Sequence, residues 1–264
     1  MNIIEIFQAL KRYSDITKKI IGVMLLVVSI FVMWILIDNL PVIGDPHSAP
    51  HTHLSPYYIE NGPKETHSPN LVTGVLADYR AFDTLLETTV MFLAGISTAM
   101  VLSNKKKEET YVSVLEANRD FLGLDIPVLM PPIVSVMILY AVYVLFHGEV
   151  SLGGGFQAGA LFAMAFIIYT MFGDLKKRQK YFTRYFTVIL ASIGVLIYAM
   201  TGVMCSAFGG NFLQYEKLPF SVSNGHLHGI GITLIETGVT IVVAATIITI
   251  LEVILERESM NGNY

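Results

Sequence analysis

The chain has 264 residues, of which 53% are hydrophobic and only 14% charged, and its net charge is −4. Soluble domains carry about a quarter charged residues, so this balance excludes an ordinary soluble domain. The 17 lysines and arginines gather in loops and form no basic stripe, which excludes a nucleic-acid partner.

The mean hydropathy is +0.60, and the apolar residues come in blocks, the pattern of a polytopic membrane protein. Cys205 is the single cysteine, so no internal disulfide can form, and it reads as a small buried apolar residue. No P-loop supports direct ATP coupling, and no cysteine set can hold an iron–sulfur cluster.

The N-terminus is amphipathic. Ile3, Ile4, Phe7 and Leu10 lie on one side and Lys11, Arg12, Lys18 and Lys19 follow, which predicts a segment on the cytoplasmic membrane surface. Ile20 to Leu40 is longer than a secretory h-region and lacks a small-residue cleavage site, so it reads as a retained first span. Pro41 to Pro69 is polar and rich in proline and histidine. His47, His51, His53 and His67 match no closed zinc pattern, so a solvated loop is expected and no metal site.

The second span is expected from Asn70 to Leu102. Asp83 and Glu87 stand one turn apart, as do Thr84 and Thr88, and Met91, Gly95 and Thr98 continue that face. A carboxylate facing lipid is costly, so this stripe is expected to face protein or water. Ser103 to Asp125 is charged and reads as a cytoplasmic linker. Ile126 to Phe146 is the third span, with Pro127, Pro131 and Pro132 predicting a kinked or delayed start.

The stretch His147 to Gly159 reads HGEVSLGGGFQAG. Gly153, Gly154 and Gly155 let the backbone turn sharply, which predicts a tight hairpin between two membrane helices. Gly155 and Gly159 share one face of the next helix, where a second helix can approach closely, and a neighbouring subunit is the expected occupant. Phe156 to Phe172 is a short fourth span, and Gly173 to Arg184 a basic loop. Tyr185 to Cys205 is the fifth span and Ser206 to His226 a polar loop. The sixth runs from about Leu227 to Leu251, before a charged tail. Thr233, Glu236, Thr237 and Thr240 share one face of it, with Glu236 roughly 15 Å in at 1.5 Å per residue, near mid-membrane. His226 and His228 make a poor haem site and are expected to form interfacial hydrogen bonds.

The positive-inside rule orients the spans. Lys11, Arg12, Lys18, Lys19, Lys105, Lys106, Lys107, Arg119, Lys176, Lys177, Arg178, Lys180, Arg184 and Arg257 fall on one side, against Lys64, Arg80 and Lys217 on the other. The fold class read from the sequence is therefore all-α: an integral membrane protein of about six transmembrane helices with both termini cytoplasmic.

No catalytic constellation appears. What remains is ionisable groups within helices. A buried Glu beside Thr hydroxyls can bind a proton or help coordinate Na⁺, because burial and a nearby cation push its protonation in opposite directions. Glu87 and Glu236, with Asp83, Asp78, Glu149, Thr233 and Thr240, are therefore candidates for a segment of an ion path. The alternative is interhelical hydrogen bonding, or ion pairing of Arg80 with Asp78 or Asp83.

The motif at 147–159 resembles the MrpB signature, HG-x-x-S-x-GGGFQ-(G/A)-(G/A), with Leu152 where the family usually has Pro and Ala158 where it often has Gly. MrpB subunits are small membrane subunits of Mrp-type cation/proton antiporters and of related membrane-bound hydrogenases. The stretch Asn70 to Glu87 resembles the C-terminal domain of the large MrpA subunit, matching it at Asp78, Arg80, Asp83, Thr84 and Glu87. The resemblance implies a fusion: an MrpA-type segment over 1–104 with two spans, a linker over 105–125, and an MrpB-type domain over 126–264 with four. It implies a membrane subunit of an Mrp-type Na⁺/H⁺ antiporter module in a prokaryotic cytoplasmic membrane, contributing to the Na⁺ path and to assembly. Its partners would be the bilayer, large antiporter-like subunits and other small membrane subunits, with no cofactor beyond the transported Na⁺ and H⁺. The alternatives are the same module within a hydrogenase-like respiratory complex, a scaffold subunit that carries no ion, and an independent small transporter.

Overall fold

A computed structural model describes residues 3–102, 120–121, 124–172 and 184–261. Most of the expected linker, the basic loop over 173–183 and residues 262–264 lie outside the described residues, and so do most of the loop cations used for orientation. Of the linker, only a two-residue antiparallel pairing of β1 (Asp120–Phe121) with β2 (Leu124–Asp125) is described. The architecture is otherwise helical.

The first compact unit is Met1–Pro56. Its helix α1 (Ile3–Asp38) is one continuous element, so the amphipathic stretch is not a separate segment ahead of the span. The face expected at Ile3, Ile4, Phe7 and Leu10 falls on side chains outside the described residues. From Ile16 to Asp38 every residue is exposed. A helix satisfies its backbone internally, so such an apolar surface suits a lipid solvent.

The second unit is Tyr57–Tyr264. The polar stretch expected as a solvated loop is partly helical. A π-turn at Pro50–Leu54, the end of the first unit, precedes α2 (Ser55–Glu65) in the chain. Aromatic anchoring explains the difference. Tyr57 donates to Glu65 at 3.0 Å, Tyr79 donates to the same carboxylate at 2.5 Å, and the Tyr58 and Tyr79 rings stack at 4.8 Å. Burial and that bond to Glu65 hold the Tyr79 phenol above its ordinary pKa, so it stays a donor.

The expected second span is broken. Asn70 caps α3 (Leu71–Gly74), accepting from the Val72 amide at 3.1 Å. A π-turn follows at Val75–Tyr79, Arg80 leaves helical geometry (φ −119, ψ 28), and α4 (Ala81–Leu102) then starts afresh. Asp78 therefore does not share a helix face with Asp83 and Glu87.

The remaining α-helices among the described residues are α5 (Ile126–His147), α6 (Gly155–Phe172), α7 (Arg184–Ala207) and α8 (Asn224–Asn261). Helices α1, α4, α5, α7 and α8 are long and apolar enough to cross a membrane, and α6 is a shorter apolar helix. Helix α8 is the axis. It packs on α7, α6 and α4, and α5 packs on α6. Its Ile232, Ile235, Val239, Val242 and Val243 are almost wholly buried.

Glycines permit this packing, as membrane helices without a strong hydrophobic drive require. A Cβ on Gly155 would meet the Glu236 carbonyl, and one on Gly159 would lie 2.7 Å from Val243 Cβ. A Cβ on Gly194 of α7 would lie 2.6 Å from the Gly238 carbonyl oxygen, and one on Gly238 would lie 2.8 Å from that of Gly194. The face at Gly155 and Gly159 is thus filled by the chain's own α8, where a neighbouring subunit had been expected.

Candidate functional site

Two motif regions meet at one end of the helices. Thr73 donates its hydroxyl to the Gly148 carbonyl at 2.6 Å, and Asn70 donates its side-chain amide there at 2.8 Å. Ser68 donates to the Glu149 carbonyl at 2.9 Å. Within the hairpin, a Cβ on Gly153 would collide with the Val144 carbonyl, and one on Gly148 would lie 2.7 Å from the Gly154 nitrogen. Gly154 sits at φ +132, a conformation that side chains disfavour.

The break at Arg80 disturbs the regular helical bonding around it, and distant side chains take up the carbonyls there. Thr84 donates to the Leu76 carbonyl at 2.6 Å, Tyr215 to Ala77 at 2.7 Å and Tyr198 to Ala81 at 2.7 Å. Burial pushes the Tyr215 phenol far above its ordinary pKa, so its donation persists at every physiological pH. Tyr215→Phe leaves the Ala77 carbonyl without its partner. It is expected to destabilise the chain by about 1–3 kcal/mol, read as a lower thermal midpoint in detergent.

The proposed ion-path residues separate into three places. The first is Glu236, half-buried on α8. A Cβ on Gly154 would lie 3.1 Å from its Oε1 and 3.3 Å from Gln157 Oε1, so its carboxylate rests against the hairpin. Among the described residues no side chain donates to that carboxylate. Glu149 lies against Gly229, where a Cβ would be 3.0 Å from its Oε1. It lines an open cavity of about 670 Å³ with His67, Ser223, His226 and Thr233. Thr233 stands one turn before Glu236 and so continues the polar line inward from the cavity. Thr240, one turn beyond, donates its hydroxyl to the carbonyls of Glu236 at 2.8 Å and Gly155 at 3.1 Å, tying α8 to the start of α6.

The second place is Asp78. It pairs with His228, whose Nδ1 lies 2.6 Å from Asp78 Oδ2. The pairing of Asp78 with Arg80 does not form. The third place is the outer face of α4. Arg80 Nε donates to Asp83 Oδ2 at 2.7 Å, and both side chains are exposed. Glu87 is also exposed. The buried face of α4 is Ala81, Thr84, Thr88, Gly95 and Ala99, and Glu87 stands roughly 100° round the helix from its centre at 100° per residue. Glu87 is therefore not enclosed by this chain's own helices, which leaves water or a neighbouring subunit to face it. Glu87, on the exposed side of α4, forms no hydrogen bond or ion pair with Glu236.

Sequence reasoning missed Tyr198, Tyr215 and the partner of His228. For Tyr198 the available signal was a tyrosine inside an apolar run, whose hydroxyl must find an acceptor; Tyr215 stands in the polar loop and carried no such signal. Among the described residues no three His, Cys, Asp or Glu side chains cluster to hold a metal ion.

Residues 126–249 match the family described as a domain related to the MnhB subunit of Na⁺/H⁺ antiporters. A putative antiporter subunit mnhB2 of Staphylococcus aureus is 32% identical over 120 residues, covering 45% of this chain and 84% of its own length. A chain in the structure of the membrane-bound sulfane sulfur reductase, an archaeal respiratory membrane complex, shares the fold. Its TM-score is 0.64 at 24% identity, over 89% of this chain and 98% of that one. A chain of the Mrp complex from Dietzia sp. aligns with TM-score 0.56 at 22% identity, over 87% of this chain and 26% of that one.

Proposed function

Because the chain belongs to the MnhB (MrpB-like) family of antiporter subunits, we propose that it is a multi-pass subunit of a cation/proton antiporter module in the prokaryotic cytoplasmic membrane and contributes part of the Na⁺ path. The observation that carries the reading is Glu236: a half-buried carboxylate in the central helix, without a donor among the described residues, one turn from Thr233 of an open cavity that Glu149 also lines. A carboxylate inside a membrane protein is by default a candidate functional group. Glu149 at the cavity and Glu236 within the helices offer a cation two successive negative charges, and protonation releases it. The chain's part is transport rather than an enzyme's chemistry.

The exposed faces of α1 and α4 suit contacts with other membrane subunits. Glu87 and the Arg80–Asp83 pair then become interface groups, placed in this path only by a partner. The alignment of 87% of this chain to a quarter of one longer Mrp-complex chain supports reading 1–104 and 126–264 as two subunit-like pieces joined in one chain. The likeness to nearly the whole of a chain in a respiratory complex favours a second reading, the same module within a redox-driven assembly.

Purification of the tagged chain from its native membrane, followed by Na⁺-driven proton flux in proteoliposomes, tests the proposal. Co-purifying antiporter subunits with active exchange are the expected result. Co-purifying redox subunits would select the second reading. An intact chain that emerges alone would overturn both.

A further inference from the structure

We propose that His228, held between Asp78 and Glu216, is a second proton-binding site, whose occupancy fastens the Tyr215–Lys217 turn to the central helix. The histidine side chain is only 8% exposed, and its Nδ1 lies 2.6 Å from Asp78 Oδ2. With Asp78 ionised, Nδ1 carries the hydrogen and donates it, which leaves Nε2 as a lone pair. Nε2 is buried and has no hydrogen-bond partner among the described residues. The nearest acidic oxygen is Glu216 Oε1, 3.8 Å away, on a side chain 43% exposed.

A lone pair facing a carboxylate is repelled. An N–H⁺ facing it is attracted and closes the gap to bonding distance. A proton from water added at Nε2 therefore converts an unpaired atom into a bridge, Asp78–His228–Glu216. The bridge joins the π-turn at Val75–Tyr79, α8 and the short 3₁₀ turn Tyr215–Lys217. The same turn carries Tyr215, whose hydroxyl caps Ala77. Protonation thus tightens the brace on the break between α3 and α4.

The other titratable groups facing the imidazole do not supply an alternative partner for Nε2. The Tyr215 ring meets it edge-on at 5.9 Å, with its hydroxyl committed to Ala77. The His67 ring stands edge-on at 5.3 Å. On α8 itself, His226 is bonded to Ser223 at 2.6 Å. Glu149 lies one residue along, against Gly229, and lines the cavity. Nothing here requires Glu236 to carry an ion.

Hydrogen exchange by mass spectrometry on the purified complex tests the site, with rates corrected for the intrinsic effect of pH. Between about pH 8 and about pH 5, which bracket an ordinary histidine, amide protection across Gln214–Leu218 is expected to rise about fivefold, the size of a partly exposed ion pair. The sign follows from the partner gained: the bridge is present at low pH and is lost as pH rises. Glu216→Gln keeps the fold, because Glu216 is exposed and Asp78 still holds His228, and it should abolish the rise. His228→Gln should abolish it as well. A wild-type complex with no pH-dependent protection there, or a Glu216→Gln complex that keeps the full rise, would overturn the proposal. Exchange activity in either variant does not enter the readout, so failure of this site is distinct from failure of the Glu236 path.

Discussion

Glu236→Gln, in the intact complex, is expected to lower cation/proton exchange by about ten- to hundredfold while the chain still assembles. The size follows from the interaction removed. A carboxylate holding a cation or proton contributes a charge-assisted contact of about 1.5–3 kcal/mol, and each 1.4 kcal/mol is about tenfold in affinity. Assembly is spared for a structural reason. The carboxylate makes no ion pair or hydrogen bond among the described residues, so the amide breaks no brace, and its shape still fits against Gly154. Asp83→Asn is the contrast. Asp83 is engaged with Arg80 on an exposed face, so the structural consequence there is local. The measurement is sodium-driven proton flux at matched protein levels. Undiminished exchange in Glu236→Gln would leave the scaffold reading standing in place of the ion path.

The spans were legible because a bilayer demands about 20 apolar residues per crossing, a requirement that composition alone reveals. Close approach at Gly155 and Gly159 was legible for a similar reason: two glycines four apart mark one helix face before any partner is known. Gly194 and Gly238 escaped notice because neither has a second glycine one turn away to mark a face, and only the crossing of α7 with α8 brings them together.

The break at Arg80 was not legible. No proline or glycine marks it at 75–80. It is stabilised by Tyr198, Tyr215 and His228, which lie far along the chain, so the local sequence reads as one helix. The two sides of α4 could not be told apart for a related reason. Asp83, Thr84, Glu87 and Thr88 look like one polar stripe, yet the threonines are buried and the carboxylates are not. A threonine returns its hydroxyl to its own helix, as Thr88 does to the Thr84 carbonyl at 2.7 Å, and can then enter an apolar core. A carboxylate has no such recourse.

Gly155→Leu should loosen the hairpin end and disturb the site with it. The first atom of any side chain at this position meets the Glu236 carbonyl, and it lies 2.9 Å from Val239 Cβ. Neither neighbour has room to move. Val239 is almost wholly buried, and the carbonyl belongs to the helix on which α4, α6 and α7 all pack. Overpacking of this kind costs about 1–3 kcal/mol where side chains can yield, and a backbone contact places this substitution at the upper end. A fall of about 5–10 °C in the thermal midpoint follows for a unit of this size. Ala160→Leu adds comparable bulk to the same helix, but Ala160 is exposed, so the solubilised chain should melt as the wild type does. The pair separates close packing from mere side-chain volume. Because the clash falls on the backbone of Glu236 itself, Gly155→Leu should lose assembly and exchange together. A Gly155→Leu chain with the wild-type midpoint would show that α6 and α8 do not pack through this glycine.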